Sequence, residues 1–558
     1  MKSEIRARMN DRQVWLFEET MQRLDAQYDD TVGLLTRTFR ARTMHDIRGS
    51  SHYALGLFVR DEEGDHARAC RILHKVLDAQ FLSDPSAVFY GGFPFDDRQP
   101  EPPHEPFPGE HFDAVSRYDL EKWQEQIRGR FLKKLAAAGY EREERYRIED
   151  MWRRSLVETV PVVWGNFDAN WPDFIATELA MILCVGADPG PELTQRMEAA
   201  GRAAVVNSVR RWKMHVIPMN TNVELMHVFI CGFFGEWLKE NTFLAEAREA
   251  ALDIRRRYEE TMSFAEYNSV TYNSVDLSAL AMWRLYLKDE TLVETGCFLE
   301  ANLWRNIAQM YHPGLNNVCG PYSRNYDNDM ALHSMIPAFL YMVYGEEKPR
   351  PVFNVETAGY IDLALTGTLI PADALEKMRT FQGPRRETKT FRELMERGCP
   401  GEDTTLCTAT ARFEENWMVG AMQGSRNTSG QLRSLVAFWK RPDGAVDSLA
   451  LLRRMPGRQP GEHLWTVYFD GEVGEDAVIM RIRPEVDRDI EVYFDIIGKD
   501  LDPAMVQEEA WIFPGMTFLV ETDAGKPEIR RTDAGMEIVY YVPENSPGLE
   551  FRLRLQTS

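Results

Sequence analysis

The sequence predicts an α+β protein with two domains, an N-terminal (α/α) toroid over residues 1–400 and a C-terminal antiparallel β-sandwich over residues 401–558. A chain of 558 residues is too long for a single hydrophobic core. Apolar residues recur at helical spacing as far as about residue 395, and from about residue 405 they follow the pattern of strands. Paired helices followed by an antiparallel sheet are typical of a helical barrel capped by a β-sandwich.

The N-terminal region consists of helical segments joined by polar connections. Apolar residues at helical spacing begin in RQVWLFEETMQRLDAQY, continue through ALGLFVRDEEGDHARACRILHKVLDAQF and are last seen in ALHSMIPAFLYMVYG. Asp173 and Asn222 stand before such segments, and we expect them to cap helices. The proline-rich and charged residues 93–113 interrupt the pattern and predict a long loop that is ordered over a cleft.

The C-terminal region has the pattern of an antiparallel sheet. In segments such as TTLCTATARFEENWMVGAM, IEVYFDIIG and LEFRLRLQ, β-branched and aromatic residues either alternate with polar ones or follow one another directly. Turn residues such as PDG and DAG separate these segments. Loops on such a rigid scaffold are where binding residues concentrate, although the scaffold alone does not choose an activity.

The formal charge of −22 bears on the partners of the protein. Such a surface repels phosphate backbones, so the sequence predicts no nucleic-acid partner. It also repels any other polyanion at long range. An acidic ligand would therefore need a local patch of basic residues.

Cysteine usage and hydropathy bear on the compartment. The seven cysteines are odd in number and show no metal-ligand spacing, so free thiols in a reducing compartment are the simplest interpretation. The first residues carry charges throughout and lack the apolar centre of a secretory signal. The longest apolar run, VFICGFF, is too short to cross a bilayer. We therefore expect a cytoplasmic protein without a membrane partner, although a leader that had been removed would leave no trace.

Four stretches concentrate hydrogen-bonding side chains immediately before predicted helices. They are VVWGNFDANWPDF, MNTNVELMH, FAEYNSVTYNS and GPYSRNYDND. A buried Tyr or Asn requires hydrogen-bond partners, so an ordinary loop has little use for so many of them. Loops that enter the inner helices of a toroid lie at one rim, and we therefore expect the four stretches to converge on one cleft.

The first two stretches supply amides and aromatic rings. Asn220 stands just before a helix and is a candidate for an amide at the floor of the cleft. The structural alternative is that Asn222 caps this helix and that His227 is a histidine of the core. The candidate substrate-binding residues of these stretches, which include two tryptophans suited to stacking on a sugar ring, are Trp164, Asn170, Trp171, Asn222 and His227.

The last two stretches combine tyrosines with charged groups. The structural alternative for the fourth stretch is an arginine–aspartate ion pair followed by an acidic helix cap. The candidate catalytic residues are Glu266, Tyr267, Tyr272, Arg324 and Tyr326. The candidate substrate-binding residues are Asn268, Asn273, Tyr322, Asp327 and Asp329.

The order of Asn220, Tyr272 and Arg324 resembles that of the chondroitin AC and hyaluronate lyase family, over about residues 160–340. Enzymes of that family have an (α/α) toroid followed by antiparallel β domains. The resemblance implies that Asn220 neutralises the carboxylate of a uronic acid. It also implies that Tyr272 removes the C5 proton or protonates the leaving oxygen, and that Arg324 supports this tyrosine.

The chain departs from the family at one catalytic position. The family has a histidine shortly before the tyrosine, and this chain has Ser263 there. Either Glu266 or Tyr267 takes over the role of that histidine, or the chemistry differs. The β region is also smaller than in those lyases.

β-Elimination next to a uronic acid matches the chemistry of these residues. An amide at a helix N-terminus stabilises the charge that develops on the carboxylate. A nearby arginine favours the phenolate and lowers the pKa of a tyrosine, which can then act as base or acid. The sequence therefore favours a lyase that acts on an acidic polysaccharide or oligosaccharide and needs no cofactor and no metal.

Other functions fit the same toroid. An inverting glycoside hydrolase would use Glu266 as the acid and Asp327 or Asp329 as the base, and a neutral glucan would suit the acidic surface better. A non-catalytic protein would use the aromatic and amide groups only to hold sugar. Epimerases and dehydratases on this scaffold, and any oligomeric state, remain open.

Overall fold

The computed structural model describes Ile5 and residues 8–39, 42–87, 89–102, 117–159, 168–214, 220–394, 404–426, 430–457, 467–484, 489–544 and 546–557. Trp164, a predicted stacking residue, lies outside the described residues.

The N-terminal region is helical, as the sequence predicts. Its helices in chain order are α1 (Asp11–Gln27), α2 (Ile47–Arg60), α3 (Asp65–Asp78), α4 (Arg117–Ala137), α5 (Arg142–Thr159), α6 (Trp171–Cys184), α7 (Pro191–Met214), α8 (Thr221–Trp237), α9 (Asn241–Thr261), α10 (Val270–Tyr286), α11 (Glu290–Met310), α12 (Ile336–Tyr344), α13 (Tyr360–Thr366) and α14 (Ala372–Arg379). None of these helices, in the part of the chain that is described, combines the length and apolar character needed to cross a membrane.

Helices α2, α6, α8, α10 and α13 contact one another in a closed ring, and the contact between α13 and α2 completes the circle. Helices α3, α7, α9 and α11 lie outside this ring, and each packs on the inner helix that precedes it in the chain. This paired arrangement is that of an (α/α) barrel. The predicted fold class is thereby confirmed for the helical domain.

The sequences of inner and outer helices differ in the way that their burial requires. Inner helix α8 is buried continuously from Thr221 to Gly235 because it is apolar on nearly every side. Outer helix α9 buries only a stripe at helical spacing. That stripe consists of Ala247, Ala250, Ala251, Ile254 and Tyr258.

The segment of residues 54–81, which the spacing predicts as one helix, forms α2 and α3. Helix α2 ends at Arg60, and Asp61 then adopts a left-handed conformation with a φ of 53°. Gly64, with a φ of 88°, begins α3. The intervening residues are polar and charged, so they have no apolar surface to bury and the chain can reverse at the surface.

Two helices begin earlier than their predicted caps. Asn170 stands at the start of α6, so Asp173 lies inside that helix and is buried. Asp173 instead pairs with Arg211 of α7 and accepts a hydrogen bond from Ser208. Asn220 stands at the start of α8, so Asn222 also lies inside a helix.

The C-terminal region forms the predicted antiparallel β-sandwich. Its strands are β6 (Arg385–Leu394), β7 (Thr404–Glu414), β8 (Trp417–Gln423), β9 (Leu435–Lys440), β10 (Val446–Arg454), β11 (Val467–Val473), β12 (Val478–Pro484), β13 (Ile490–Ile497), β14 (Ala510–Phe513), β15 (Met516–Thr522), β16 (Glu528–Arg531), β17 (Gly535–Val542) and β18 (Leu549–Gln556). One sheet has eight strands in the order β16-β17-β13-β10-β9-β8-β7-β6, and the other has five in the order β11-β12-β18-β15-β14.

Among the described residues, five short strands lie in the helical part of the chain. Strands β1 (Tyr28–Asp29), β2 (Leu34–Phe39) and β3 (Arg42–Asp46) form a separate sheet near the N-terminus, and β4 (Tyr311–His312) pairs with β5 (Asn317–Val318).

Strand β6 begins before the change of period that the sequence shows near residue 405. Its sequence, RRETKTFREL, carries charged residues at most positions and lacks apolar alternation. Charged residues of this kind are typical of an edge strand, and β6 is an edge strand of the larger sheet.

The larger sheet is buried on both faces. On β9, Leu435, Ala437 and Trp439 point into the core of the sandwich. The alternating residues Val436 and Phe438 belong to the core that continues into the helical domain. Because successive side chains of a strand point to opposite faces, one strand joins the two cores.

The sheet also holds a loop that leads to the rim of the ring. Tyr322 exchanges two backbone hydrogen bonds of 2.9 Å with Arg433. The backbone N–H of Asn325 donates to the backbone carbonyl of Gln431 at 2.8 Å. The segment of residues 320–326 is therefore fixed by the β domain, although it belongs to the helical part of the chain.

A glycine-to-alanine substitution tests this contact. A Cβ at Gly420 of β8 would lie 2.6 Å from the carbonyl carbon of Gly320 and overlap its oxygen. We expect Gly420→Ala to lower the free energy of unfolding by about 1–3 kcal/mol, measured as a lower thermal midpoint. Gly525→Ala is the matched control because its Cβ would meet nothing within 4 Å. Equal midpoints for the two variants would contradict the close packing.

Candidate active site

The N-terminal ends of inner helices bring polar groups together at one rim of the ring. Asn220 stands at the start of α8, and the next residue, Thr221, donates its backbone N–H to Oε2 of Glu266 at 2.9 Å. Glu266 lies just before α10, whose first turn is capped by the Ser269 hydroxyl. Unpaired N–H groups give each helix start a partial positive charge, so this rim favours anionic groups.

Arg324 connects three parts of the molecule at this rim. Its Nη1 donates to Oε1 of Glu266 at 2.8 Å, and its Nε donates to the side chain of Gln431 at 2.6 Å. Both members of the ion pair are largely removed from solvent. The guanidinium carbon also lies 4.5 Å from the centre of the Tyr272 ring. Arg324 therefore positions a tyrosine while it joins two loops and the β domain.

Tyr272 and Tyr326 form a hydrogen-bonded pair beside Arg324. The Tyr272 hydroxyl donates to the Tyr326 hydroxyl at 3.1 Å, and the ring centres are 5.9 Å apart. Tyr272 is 8% exposed and Tyr326 is 44% exposed. The pair thus runs from the buried floor of the rim to solvent, which is the arrangement a proton-transfer site requires.

Burial and charge act in opposite directions on Tyr272. Burial raises the pKa of Tyr272 well above its ordinary value, and the Arg324 charge lowers that pKa by a smaller amount. The sequence predicts the second effect alone, because burial is visible only in the folded structure. Tyr272 is consequently protonated in the free protein at neutral pH.

His333 adds a positive charge next to Tyr326. Its ring stacks on the Tyr326 ring with the centres 4.5 Å apart, and its two nitrogens each lie 3.3 Å from a carboxylate, of Asp327 and of Glu356. Burial lowers the pKa of His333, but the hydrogen bonds that its ring nitrogens donate to Asp327 and Glu356 outweigh this effect and raise that pKa to about 9. His333 is therefore cationic at neutral pH.

Further basic residues converge on the same region. Desolvation raises the pKa of Asp168, whereas the backbone N–H of Asn170 and the charges of Arg211, Arg48 and Arg324 lower it, so three guanidinium groups act on this one carboxylate. The Arg48 guanidinium lies 3.5 Å from the centre of the Phe174 ring. Basic side chains thus form a local basic patch on a chain of formal charge −22, in which Arg211, Arg324 and His333 are paired with carboxylates.

Asn170 lies within this basic patch, and its neighbour Trp171 does not present its ring to solvent. The side-chain oxygen of Asn170 accepts a hydrogen bond of 3.0 Å from Arg211. Trp171 is buried, and its ring packs edge-on against Phe95 at 4.6 Å. The stacking platform that the sequence predicts at Trp171 is thus covered by another aromatic ring.

Tyr267 and Asn268 face away from the Tyr272–Tyr326 pair. The Tyr267 ring stacks on Phe391 of β6 at 4.3 Å, and its buried hydroxyl has no hydrogen-bond partner among the described residues. Asn268 adopts a φ of 56° and donates to the carbonyls of Cys319 and Pro321 at 2.6 and 2.9 Å. Both residues hold the loop in place.

Tyr322 and His227 are buried in the scaffold. The Tyr322 hydroxyl donates to the carbonyl of Val318 at 2.5 Å. Nδ1 of His227 lies 2.8 Å from the Ser208 hydroxyl, and burial lowers the pKa of His227 to about 3. His227 is therefore neutral, as the structural alternative for it requires.

The remaining candidates occupy the first turns of α8 and α10 or the loop that follows Arg324. Asn222 and Asn273 are buried, and in the part of the chain that the structure describes the side-chain oxygen of Asn222 has no hydrogen-bond partner. Asp329 accepts hydrogen bonds from the Asn317 side chain at 3.1 Å and from the Ala331 backbone at 2.9 Å, which closes a turn.

Sequence reasoning did not single out several residues of the rim. They are Arg48, His333 and Glu356. Arg48 lies at the start of α2 and Glu356 lies four residues before α13, both outside the four polar stretches. The closing of the ring brings these distant helix starts together, and no local pattern reports it.

No curated protein is significantly similar to the chain in sequence. Three of the similar solved structures are a heparinase III, a heparan sulfate lyase HepC mutant from Pedobacter heparinus and a heparinase III gene product with methylated lysines. Their identities to this chain are 9%, 12% and 10%, and their TM-scores are 0.38, 0.30 and 0.31.

These three similarities extend over most of each molecule. They cover 100%, 97% and 90% of this chain and 93%, 88% and 90% of the other chains. Likeness at these scores carries no information on activity. The sequence itself matches the model of a family described as a domain of unknown function over residues 14–128 and 147–367. Because these residues make up more than half of the chain, the protein belongs to the family of the domain of unknown function DUF8769.

Proposed function

We propose that the protein is a lyase that cleaves an acidic polysaccharide or oligosaccharide next to a uronic acid by β-elimination. The observation that carries this proposal is Tyr272, which is held between Arg324 and Tyr326 at a rim where further basic side chains lie. The reaction needs a group that neutralises a carboxylate and groups that remove and return protons. The rim offers candidates for both, and neither depends on a metal.

In this proposal, Asn220 and the charged groups near it neutralise the uronate carboxylate. The C5 proton of the sugar is only weakly acidic until the adjacent carboxylate loses its negative charge. The Asn220 amide stands at the N-terminal end of α8, where the helix dipole favours an anion. Arg48 and His333 add full positive charges near this rim. Donors fixed in advance stabilise developing charge without reorganisation.

The Tyr272–Tyr326 pair carries the proton transfers in this proposal. Once the pair has lost one proton to solvent, the exposed Tyr326 takes the C5 proton, and Tyr272 donates its proton to the leaving oxygen. The C5–H and C4–O bonds break, and a C4–C5 double bond forms. A proton then passes across the 3.1 Å hydrogen bond from Tyr326 to Tyr272, which restores the starting state.

Inverting hydrolysis, the alternative that the sequence leaves open, fits the same residues less well. Its general acid would be Glu266, which must hold a proton. Glu266 instead accepts hydrogen bonds from the cationic Arg324 and from the N–H of Thr221 at a helix start. Both bonds favour the carboxylate over the protonated acid.

The first experiment is ultraviolet absorbance of the protein incubated with a panel of uronic-acid polysaccharides and oligosaccharides. Elimination leaves a conjugated double bond, so absorbance rises for the correct substrate. New reducing ends without a rise in absorbance would favour the hydrolase. Sugar affinity without new chain ends would favour a binding protein.

Tyr272→Phe should lower turnover by at least about 100-fold, since it removes the hydroxyl that transfers the proton. Tyr267→Phe is the matched control, because it removes a buried hydroxyl without a hydrogen-bond partner five residues away. We expect the control to keep its turnover in the same absorbance assay. Retained turnover in Tyr272→Phe would exclude Tyr272 from the chemistry.

Arg324→Ala should move the acidic limb of the pH–rate profile to higher pH. Arg324 lowers the pKa of Tyr272, so its removal makes the tyrosine pair harder to deprotonate. Arg324→Lys keeps the positive charge and should shift the profile less. An unchanged profile in folded Arg324→Ala, with folding checked by its thermal midpoint, would remove Arg324 from this role.

Binding of an acidic substrate should become weaker at alkaline pH, because His333 loses its positive charge there. Its pKa is raised to about 9, so its charge is present below that pH and is lost as the pH rises through it. KM should therefore rise across this range in the wild type. In His333→Gln we expect a higher KM at neutral pH and no such step, and exposed His66→Gln serves as the control. If KM still rises with pH in His333→Gln, the titrating group is not His333.

A further inference from the structure

Three buried side chains of the inner ring converge beneath the rim. His52 of α2, Glu178 of α6 and Asp362 of α13 are 7%, 1% and 4% exposed. Nδ1 of His52 lies 2.9 Å from a carboxylate oxygen of Asp362 and 3.1 Å from one of Glu178. His52 and Glu178 each follow the stacked pair Arg48–Phe174 by four residues, which is about one helical turn.

The converging side chains satisfy one another only in part. Nδ1 of His52 and Oε2 of Glu178 make no hydrogen bond of acceptable geometry with any described residue, although they stand 3.1 Å apart. The second carboxylate oxygen of Asp362, Oδ1, also has no hydrogen-bond partner among the described residues. No arginine or lysine of the described residues forms an ion pair with Glu178 or Asp362. Burial lowers the pKa of His52, but the charges of Glu178 and Asp362 outweigh it and raise that pKa to about 10, so without an ion a protonated imidazole balances one of the two carboxylates. A divalent ion held by a neutral imidazole and both carboxylates would balance the two charges, which are costly to bury unpaired.

The separations suit coordination of one metal ion. One ligand atom from each of the three side chains lies within 4.8 Å of the other two. Nitrogen and oxygen atoms that bind one ion at the usual bond lengths stand about 3 Å apart, which matches the two distances from His52. Imidazole with carboxylates is a donor set for divalent transition metals, and two carboxylates balance the charge of such an ion.

A second cluster of the same residue types shows what a satisfied arrangement looks like. His45, Asp96 and Asp97 also lie within 4.8 Å of one another. There Nδ1 of His45 is hydrogen-bonded to Asp97 at 2.6 Å, and Asp96 pairs with Arg98. Each group already has a partner, and the cluster is only partly buried. Residue composition alone therefore does not make a metal site.

We propose that His52, Glu178 and Asp362 bind a divalent transition metal, of the class of Zn²⁺ or Mn²⁺, inside the helical ring. The ion joins α2, α6 and α13, so it bridges the first and last inner helices where the ring closes. Its role is to stabilise the ring one turn below the Arg48–Phe174 pair. This site is independent of the proposed lyase activity.

The test uses the full chain, first dialysed against a chelator and then against Zn²⁺, Mn²⁺ or Co²⁺ alone. We expect one equivalent of metal per chain by elemental analysis and a higher thermal midpoint with metal. Bound Co²⁺ should give visible bands of nitrogen and oxygen ligation. A thiolate charge-transfer band would assign the ion to one of the cysteines and overturn the proposal.

Substitutions in the cluster locate the ion. Glu178→Gln and Asp362→Asn keep the side-chain volume and remove a ligand charge, so both should lose the stoichiometric metal and the metal-dependent rise in midpoint. Asp97→Asn, in the second cluster, should keep both. Metal that stays bound in Glu178→Gln and Asp362→Asn, or is lost in Asp97→Asn, would overturn the proposal. If the cluster variants fail to fold, the wild-type stoichiometry and Co²⁺ spectrum decide alone.

Discussion

The buried ion pair of Arg324 and Glu266 is the interaction on which the rim depends. Glu266 binds the first N–H of α8, and Arg324 reaches Gln431 of the β domain, so the pair connects two helix starts with the sheet. Removal of one member of a buried pair leaves an uncompensated charge and costs about 3–5 kcal/mol. Because Arg324 also lies over the Tyr272 ring, the position of this tyrosine follows from the same pair.

The rim gathers basic side chains on a strongly acidic protein, and two of them, Arg324 and His333, are paired with carboxylates. Salt screens charges that are more than about 8 Å apart at physiological ionic strength, so the distant acidic surface weakens binding of an anion only slightly. Arg48, Arg324 and His333 act at short range and at partly buried positions, where screening is weaker. A net charge of −22 is therefore compatible with an acidic substrate.

Neither domain builds the site alone. The helical ring supplies the helix starts, but the segment of residues 320–326 takes its backbone hydrogen bonds from the loop of residues 430–433 in the β domain. Buried backbone groups must be paired, so the sheet determines where Arg324 and Tyr326 lie. The two-faced burial of β9 then joins the cores, and the rim is built on a continuous packed scaffold.

The sequence by itself determined the helical and β regions and the polar stretches before inner helices α6, α8 and α10, because the spacing of apolar residues reports which face of a helix or strand is buried. The fourth stretch, residues 320–329, does not lead into an inner helix. The family resemblance favoured Tyr272, but the sequence could not show that Tyr272 faces Arg324 whereas Tyr267, five residues earlier, faces Phe391. Only the tertiary structure decided this, together with the burial that outweighs Arg324 at Tyr272 and the approach of His333 to Tyr326. The reason is physical: distances between side chains on helices far apart in the chain are set by closure of the ring and by packing on the sheet, which no local pattern encodes.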